Sequence, residues 1–452
     1  MFEGLAASKS ESEWKKYPVF YFDFNVGDFS DENNFRSSID RKLASYEAVY
    51  GYNGAETLAD RFSDLLKQAH EQTGLQAVVL VDEYDKPLLN AMGDGALVDR
   101  FRTILKSFYG VIKGEDAHIR FAFITGVTRF DKVSIFSDLN NLNDISLDEK
   151  FTSVCGITQE ELEEVFKPEI QNMSEKQELS EEACLAQLKK NYDGYHFSSD
   201  TKTDIYNPFS LLNAFYNKSF GSYWFSSGTP TFLTKMMRNS NFNYASLEND
   251  IDVSRRTLEN YRLTVTDPLP MLYQTGYITI KSYDKEFNSF TLGLPNEEVK
   301  YGLYENLVPL YAGYEGKTSN IEVLNFIKEL RAGKVDAFME RINSIFASAP
   351  KKTNQKRYEL DCQAFVWLIF KLMGEFVLCE VQNGKVRSDA VVWEKDAIYI
   401  FEFKMDKSAA EAMEQINSKD YPIACKGDGR RIVKIGVNYS SEQQQLSDWI
   451  IE

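Results

Sequence analysis

The sequence predicts an α/β protein of two or three domains, with a helical segment between two parts that each carry a sheet. Three observations carry this. The chain has 452 residues, and domains run to about 150 residues each. Short apolar runs alternate with segments of helical periodicity over roughly the first 130 residues. After a polar, Pro-containing break, the last hundred residues follow the order helix, three strands, helix, strand.

In chain order, Tyr17–Asn25 (YPVFYFDFN) is β-branched and aromatic and ends in polar turn residues, as a strand does. Leu58–Glu71 has helical spacing. Ala77–Val81 (AVVLV) is a continuous apolar run suited to a strand buried on both faces. Leu97–Val111 is helical again, and Ile119–Thr125 (IRFAFIT) is another buried strand. This alternation predicts a largely parallel sheet in a three-layer arrangement. From about Phe151 helices dominate, beginning at TQEELEEVF, where Thr158 and Glu161 form a capping box. A strand pair is expected at Tyr277–Tyr283 and Asn288–Leu294, then helices at Asn320–Arg331 and Val335–Phe346. Ser348–Gln355 (SAPKKTNQ) is the best linker. The expected domains are therefore 1–155, 156–347 and 348–452.

Composition narrows the function classes. Hydrophobic residues make up 43% and charged residues 26%, as in ordinary globular proteins. No signal-peptide run lies in Met1–Lys16, and no stretch has the roughly 18 uncharged apolar residues of a membrane helix. Cys155, Cys184, Cys362, Cys379 and Cys425 form no CxxC pair and are odd in number, so neither a zinc site nor a disulfide framework is expected. A cytoplasmic protein without a membrane partner fits best. The net charge of −17 argues against nucleic acid at first. However, Lys351–Glu452 carries 15 Lys and Arg against 16 Asp and Glu, while the rest carries 36 against 52. The acidity belongs to the first 350 residues, and the C-terminal part permits nucleic-acid contact. His70, His118 and His196 share no metal-ligand spacing, and the aromatic residues between Tyr192 and Trp224 read as core rather than a base-stacking surface.

The chemistry concentrates in Arg387–Lys404 (RSDAVVWEKDAIYIFEFK). A two-residue hairpin tip at Lys395-Asp396 pairs Glu394 with Ala397, and the same register sets Asp389 opposite Glu402. Directly opposed residues have Cβ atoms about 4.5–5.5 Å apart. Two carboxylates so close repel unless a proton or cation lies between them. Glu402 and Lys404 share a face, while Phe401 and Phe403 face the core. Two carboxylates suit Mg²⁺ or Mn²⁺, which stabilises developing charge and acidifies water. The Lys404 ammonium can orient that water. Asp389 followed by Glu402-Phe403-Lys404 resembles the PD-(D/E)xK nuclease superfamily, with Ser388 where Pro is usual. The resemblance implies a restriction-endonuclease-like α/β domain in which Asp389 and Glu402 bind metal, Lys404 assists the nucleophile, and Gln415 is the glutamine of the following helix. Glu359 is a further candidate acid.

Val78–Glu83 (VVLVDE) resembles a Walker B motif, in which Asp82 would fix Mg²⁺ and Glu83 polarise water. Thr125 and Arg129, at the end of the next strand, stand where AAA-type ATPases carry sensor residues. LVDEYDKP, ITGVTRF, SIFSDLNNLNDIS, YDGYHF and YNPFSLLNAF together resemble a bacterial AAA-ATPase-like family that ends in a PD-(D/E)xK domain. The implied fold is a truncated P-loop ATPase core, a helical lid region and the nuclease-like domain. Family members normally begin with a strand and a GKS loop ahead of the segment matched by Phe2–Leu5, where this chain starts. Gly316-Lys317-Thr318 lacks the glycine required five residues earlier, at Tyr311. It reads as a loop before a helix. Without the loop's backbone amides, little or no ATP hydrolysis is expected, and a truncated gene product is the expected cause, with true degeneration as the other. The resulting expectation is a Mg²⁺-dependent nuclease acting on DNA or RNA, with a homo-oligomer left open. Two alternatives stand beside it: a non-catalytic binding or regulatory protein that keeps both folds, and an NTPase whose loop lies upstream of Met1.

Overall fold

The computed structural model describes residues 8–9, 13–128, 141–199, 203–227, 242, 246–247, 249–259, 268–312, 323–348, 355–374, 378–384, 387–418, 429–443 and 445–452. Its first unit contains β1 (Val19–Asp23), α1 (Glu32–Tyr50), α2 (Leu58–Thr73), β2 (Ala77–Asp82), α3 (Lys86–Asn90), α4 (Gly95–Gly114) and β3 (Ile119–Ile124). The strands pair in parallel in the order β1-β2-β3. Alternate residues of β1 and β2 (Phe20, Phe22, Ala77, Val79 and Val81) point into a core closed by α1, α2 and α4. Aromatic edges hold it together: Phe22 lies 5.0 Å from Phe108, and Phe62 stacks on Phe108 at 4.9 Å. Asp31, Thr57 and Asp94 cap the three long helices through their side chains, each satisfying a backbone N–H that the helix leaves orphaned. The other face differs from the expected three-layer arrangement. Val19, Tyr21, Phe121 and Phe123 are exposed there, so among the described residues helices cover one side only.

A middle region follows with α5 (Gln159–Val165), α6 (Lys167–Lys176), α7 (Glu181–Tyr192) and α8 (Pro208–Asn217) around a separate core of Leu162, Met173, Leu188, Tyr206 and Leu211. Thr158 and Glu161 form the expected capping box. Next come β4 (Ile251–Ser254), α9 (Arg255–Glu259), α10 (Leu269–Gln274), β5 (Thr279–Asp284) and β6 (Ser289–Gly293), with the strands in an antiparallel sheet of order β4-β6-β5. Then α11 (Glu297–Ala312), α12 (Val323–Arg331) and α13 (Val335–Ser348) lead to the last unit.

That unit comprises α14 (Gln355–Met373), β7 (Leu378–Gly384), β8 (Arg387–Trp393), β9 (Ala397–Met405), α15 (Ala409–Ser418), β10 (Arg431–Ser440) and β11 (Gln445–Ile451). The sheet runs β11-β10-β9-β8-β7, with β9 and β10 parallel and every other pair antiparallel. A parallel pair needs a crossover connection, and α15 lies within it. One face of the sheet packs on α12, α13 and α14. Phe401 lies 4.9 Å from Phe370 and 5.5 Å from Phe338, and Phe346 lies 5.9 Å from Tyr439. Polar ties reinforce that packing: Tyr399 OH donates to Leu330 O, Arg331 pairs with Glu394 at 2.8 Å, and Asn343 exchanges two hydrogen bonds with Leu446. Of the expected linker Ser348–Gln355, residues 349–354 lie outside the described residues, and helices that precede it in sequence form part of this sheet's core.

Candidate active site

The second face of the C-terminal sheet carries the charged residues. The β8–β9 hairpin has the register read from the sequence. Glu394 N–H donates to Ala397 O at 2.9 Å, and residue 389 pairs with Glu402. Directly opposed positions in an antiparallel ladder share a face, so positions 389 and 402 do so here. β9 is buried along almost its whole length. Phe401 and Phe403 enter the core on one side, and Glu402 and Lys404 project to the other.

Glu402 is 1% exposed and Lys404 7%. Burying either charge alone would be costly, and they compensate each other: Lys404 Nζ donates to Glu402 Oε1 at 3.0 Å. The ammonium also donates to Gln415 Oε1. Gln415 Nε2 is buried without a hydrogen-bond partner among the described residues. Gln415 reaches the site because α15 lies on this face of the sheet. Ala409, Ala412, Met413 and Ile416 are its buried residues, the i, i+3, i+4, i+7 stripe of an amphipathic helix. Ser408 caps the helix, with Glu411 returning the bond to Ser408 N–H. The loop before it is fixed by Asn438, whose Oδ1 accepts from Lys407 N–H at 3.0 Å and whose Nδ2 donates to Ser447 Oγ.

The donor set fits a hard divalent cation. Carboxylates at 389 and 402 are oxygen ligands of the kind Mg²⁺ takes, and one or two suffice when waters and substrate complete its shell. Among the described residues no group of three or more His, Cys, Asp or Glu could hold a metal on its own. The Asp389 side chain and that of Glu359, on α14, are outside the described set.

The N-terminal candidates gather at the C-terminal end of the parallel sheet. Thr125 Oγ1 donates to Asp82 Oδ1 at 2.6 Å, and Tyr21 OH stands 3.4 Å from Asp82 Oδ2. Glu83 follows with a positive φ of 53°, and its carboxylate lies 3.7 Å from Lys86 Nζ. Arg129 falls outside the described residues. The sequence reading passed over Asp85. It is fully buried and accepts from Val127 N–H at 3.2 Å and from the N–H and Oγ1 of Thr128. Burial pushes its carboxyl above the usual value, with the Thr128 bonds opposing this. Gly126 makes the clamp possible, since a Cβ there would stand 2.4 Å from Tyr84 and 2.7 Å from Asp85 Oδ1. The structure also brings His70 and His118 together, with Nδ1 atoms 3.0 Å apart.

Comparison with known proteins gives two domain matches. The family described as "Predicted AAA-ATPase" matches residues 1–136. The PD-(D/E)XK nuclease superfamily matches residues 357–449, which include Asp389, Glu402, Lys404 and Gln415. A curated relative from Azotobacter chroococcum mcd 1, described as an uncharacterized protein in the vnfD 5′ region, is 30% identical over 466 residues. The match covers 100% of this chain and 86% of the relative. No solved structure matches the chain at a significant level. Among the described residues, no helix is long and apolar enough to cross a membrane.

Proposed function

We propose that this chain, which belongs to the AAA-ATPase-like proteins ending in a PD-(D/E)XK nuclease superfamily domain, hydrolyses phosphodiester bonds of DNA or RNA with a divalent cation held at Asp389 and Glu402. The observation that carries the reading is the pairing of position 389 with Glu402 on the face that also bears the buried Glu402–Lys404 ion pair. A carboxylate paired with a buried ammonium, on a position that opposes a second acidic residue in the ladder, is suited to a cation. Mg²⁺ or Mn²⁺ bound there would supply Lewis acidity at the phosphate.

The remaining roles belong to the protein. Lys404 presents an ammonium whose other contacts, Glu402 and Gln415, hold it in place. It can orient a water by hydrogen bonding and offset the charge that develops on the phosphoryl oxygens. Gln415 fixes Lys404 through its carbonyl oxygen, and its unpartnered Nε2 is a donor that a phosphate oxygen would satisfy. The apolar face beneath, anchored by Phe338 and Phe370 on Phe401, limits movement of the strand that carries both charges.

The test is cleavage of single- and double-stranded DNA and RNA with Mg²⁺ or Mn²⁺, comparing wild type with Asp389→Ala and Lys404→Ala. Cleavage that needs the cation and falls by at least two orders of magnitude in both variants is expected, and the substrate cut identifies the class. Binding without cleavage on every substrate would overturn the reading in favour of a non-catalytic nucleic-acid-binding role.

A further inference from the structure

We propose that Gly436 is a positioning residue that sets the height of α15 above the sheet, and with it the contact between Gln415 and Lys404. Gly436 pairs with Glu402 across the parallel β9–β10 ladder, so its missing side chain would point toward α15. A Cβ built at 436 stands 2.6 Å from Ala409 O and 2.7 Å from Met413 N. Both are backbone atoms of α15, so no side-chain rotation relieves the clash. Restoring ordinary contact, at about 3.5 Å, requires the helix to lift by on the order of 1 Å. Gln415 sits two residues beyond Met413 on that helix and meets Lys404 through a single hydrogen bond. A lift of that size withdraws the amide from the ammonium. A displacement of about 1 Å at a catalytic constellation costs on the order of 10²-fold in rate.

The kinetic arm of the test rests on the nuclease reading, and a spectroscopic arm does not. Gly436→Ala should lower kcat on the order of 10²-fold with little change in KM. In a double-mutant cycle, Gly436→Ala should cost nothing further in a Gln415→Ala background, because both changes take the same amide out of the site. Calorimetric Mn²⁺ affinity should stay at the wild-type value, which separates helix height from any direct push on Glu402. For the second arm, the protein is labelled with ¹⁵N-lysine and the Lys404 Nζ resonance is assigned with Lys404→Arg. Gly436→Ala and Gln415→Ala should shift that resonance to the same place. Should the wild type cut nothing, the nuclease reading falls while the resonance still decides the role of Gly436. If Gly436→Ala does not fold, Ala412→Val lifts the same helix at a buried side chain and should move the resonance likewise. Additive rate losses, or a Lys404 resonance unmoved in the folded variants, would overturn the proposal.

Discussion

Removing either member of the Glu402–Lys404 pair should destabilise the protein more than removing both. The two groups are 3.0 Å apart and together nearly excluded from water. At an effective dielectric near 20, that separation corresponds to an attraction of about 5.5 kcal/mol, set against a desolvation cost of several kcal/mol per ion. Glu402→Ala leaves the ammonium buried with Gln415 as its remaining partner among the described residues, and Lys404→Ala leaves a buried carboxylate whose position opposes another acidic residue. Each should cost about 3–5 kcal/mol, whereas Glu402→Leu with Lys404→Met should lie within about 1 kcal/mol of wild type. The exposed Arg36–Glu32 pair, 2.8 Å apart, is the control, and breaking it should cost about 0.2–1 kcal/mol. Urea titration in EDTA, followed by tryptophan fluorescence, measures all of these, since Trp367, Trp393 and Trp449 lie in the C-terminal unit. Adding Mg²⁺ should then stabilise Lys404→Ala more than wild type, because the cation replaces the lost ammonium; the gain is about 2.7 kcal/mol at a hundredfold excess over Kd. Single variants within about 0.5 kcal/mol of wild type, or a double variant equal to the sum of the singles, would refute the reasoning.

Three further predictions concern the parallel sheet and the middle region. Asp85→Ala strands three donors at Val127 and Thr128 and should cost about 2–4 kcal/mol by thermal or urea unfolding. Because burial raises the Asp85 carboxyl in the folded protein, the folded state binds that proton more tightly than the unfolded chain. Wild type should therefore gain stability relative to Asp85→Asn as pH falls from neutral through the raised value, and parallel curves for the two proteins would contradict this. Gly194 has φ of +98°, and a Cβ there would stand 2.3 Å from Pro295 O. Gly194→Ala should cost about 2–5 kcal/mol from strain and overpacking, and an unchanged melting temperature would show that the Tyr192–Phe197 turn is free to relax.

What was legible in the sequence was whatever local geometry dictates. The Lys395-Asp396 tip is short, so one turn sets every pair in the β8–β9 ladder, and period-two alternation then assigns each residue to a face. The same locality gave the Thr158–Glu161 capping box. The missed elements lacked a local sign or carried a contrary one. α11 contains Pro309, which in a helix interior reads as a break. α1 buries Phe35, Ile39 and Leu43 in an otherwise polar segment, leaving a stripe one residue wide. β11 follows a Gln-rich polar run and pairs only at the sheet's edge. The docking of α12 and α13 on the C-terminal sheet depends on contacts such as Phe338 with Phe401, which no window of sequence holds. The glycine at 436 did carry a sign, because a lone glycine within an apolar strand marks close approach of another backbone.

The burial of β9 explains why the candidate site and the fold are hard to separate. A strand covered on both faces normally carries only apolar residues, and this one carries a carboxylate and an ammonium two positions apart. Such a strand is tolerated because the charges neutralise each other and because the opposite face, with Phe401 and Phe403 set among Phe338 and Phe370, supplies packing that the charged face does not. Position 389 adds a second acidic residue opposite Glu402 in the ladder. Glu402 and Lys404 are nearly closed to water, where electrostatic interactions are strong. On the proposed nuclease reading, a divalent cation held between the two acidic positions would therefore be bound more strongly than at the surface.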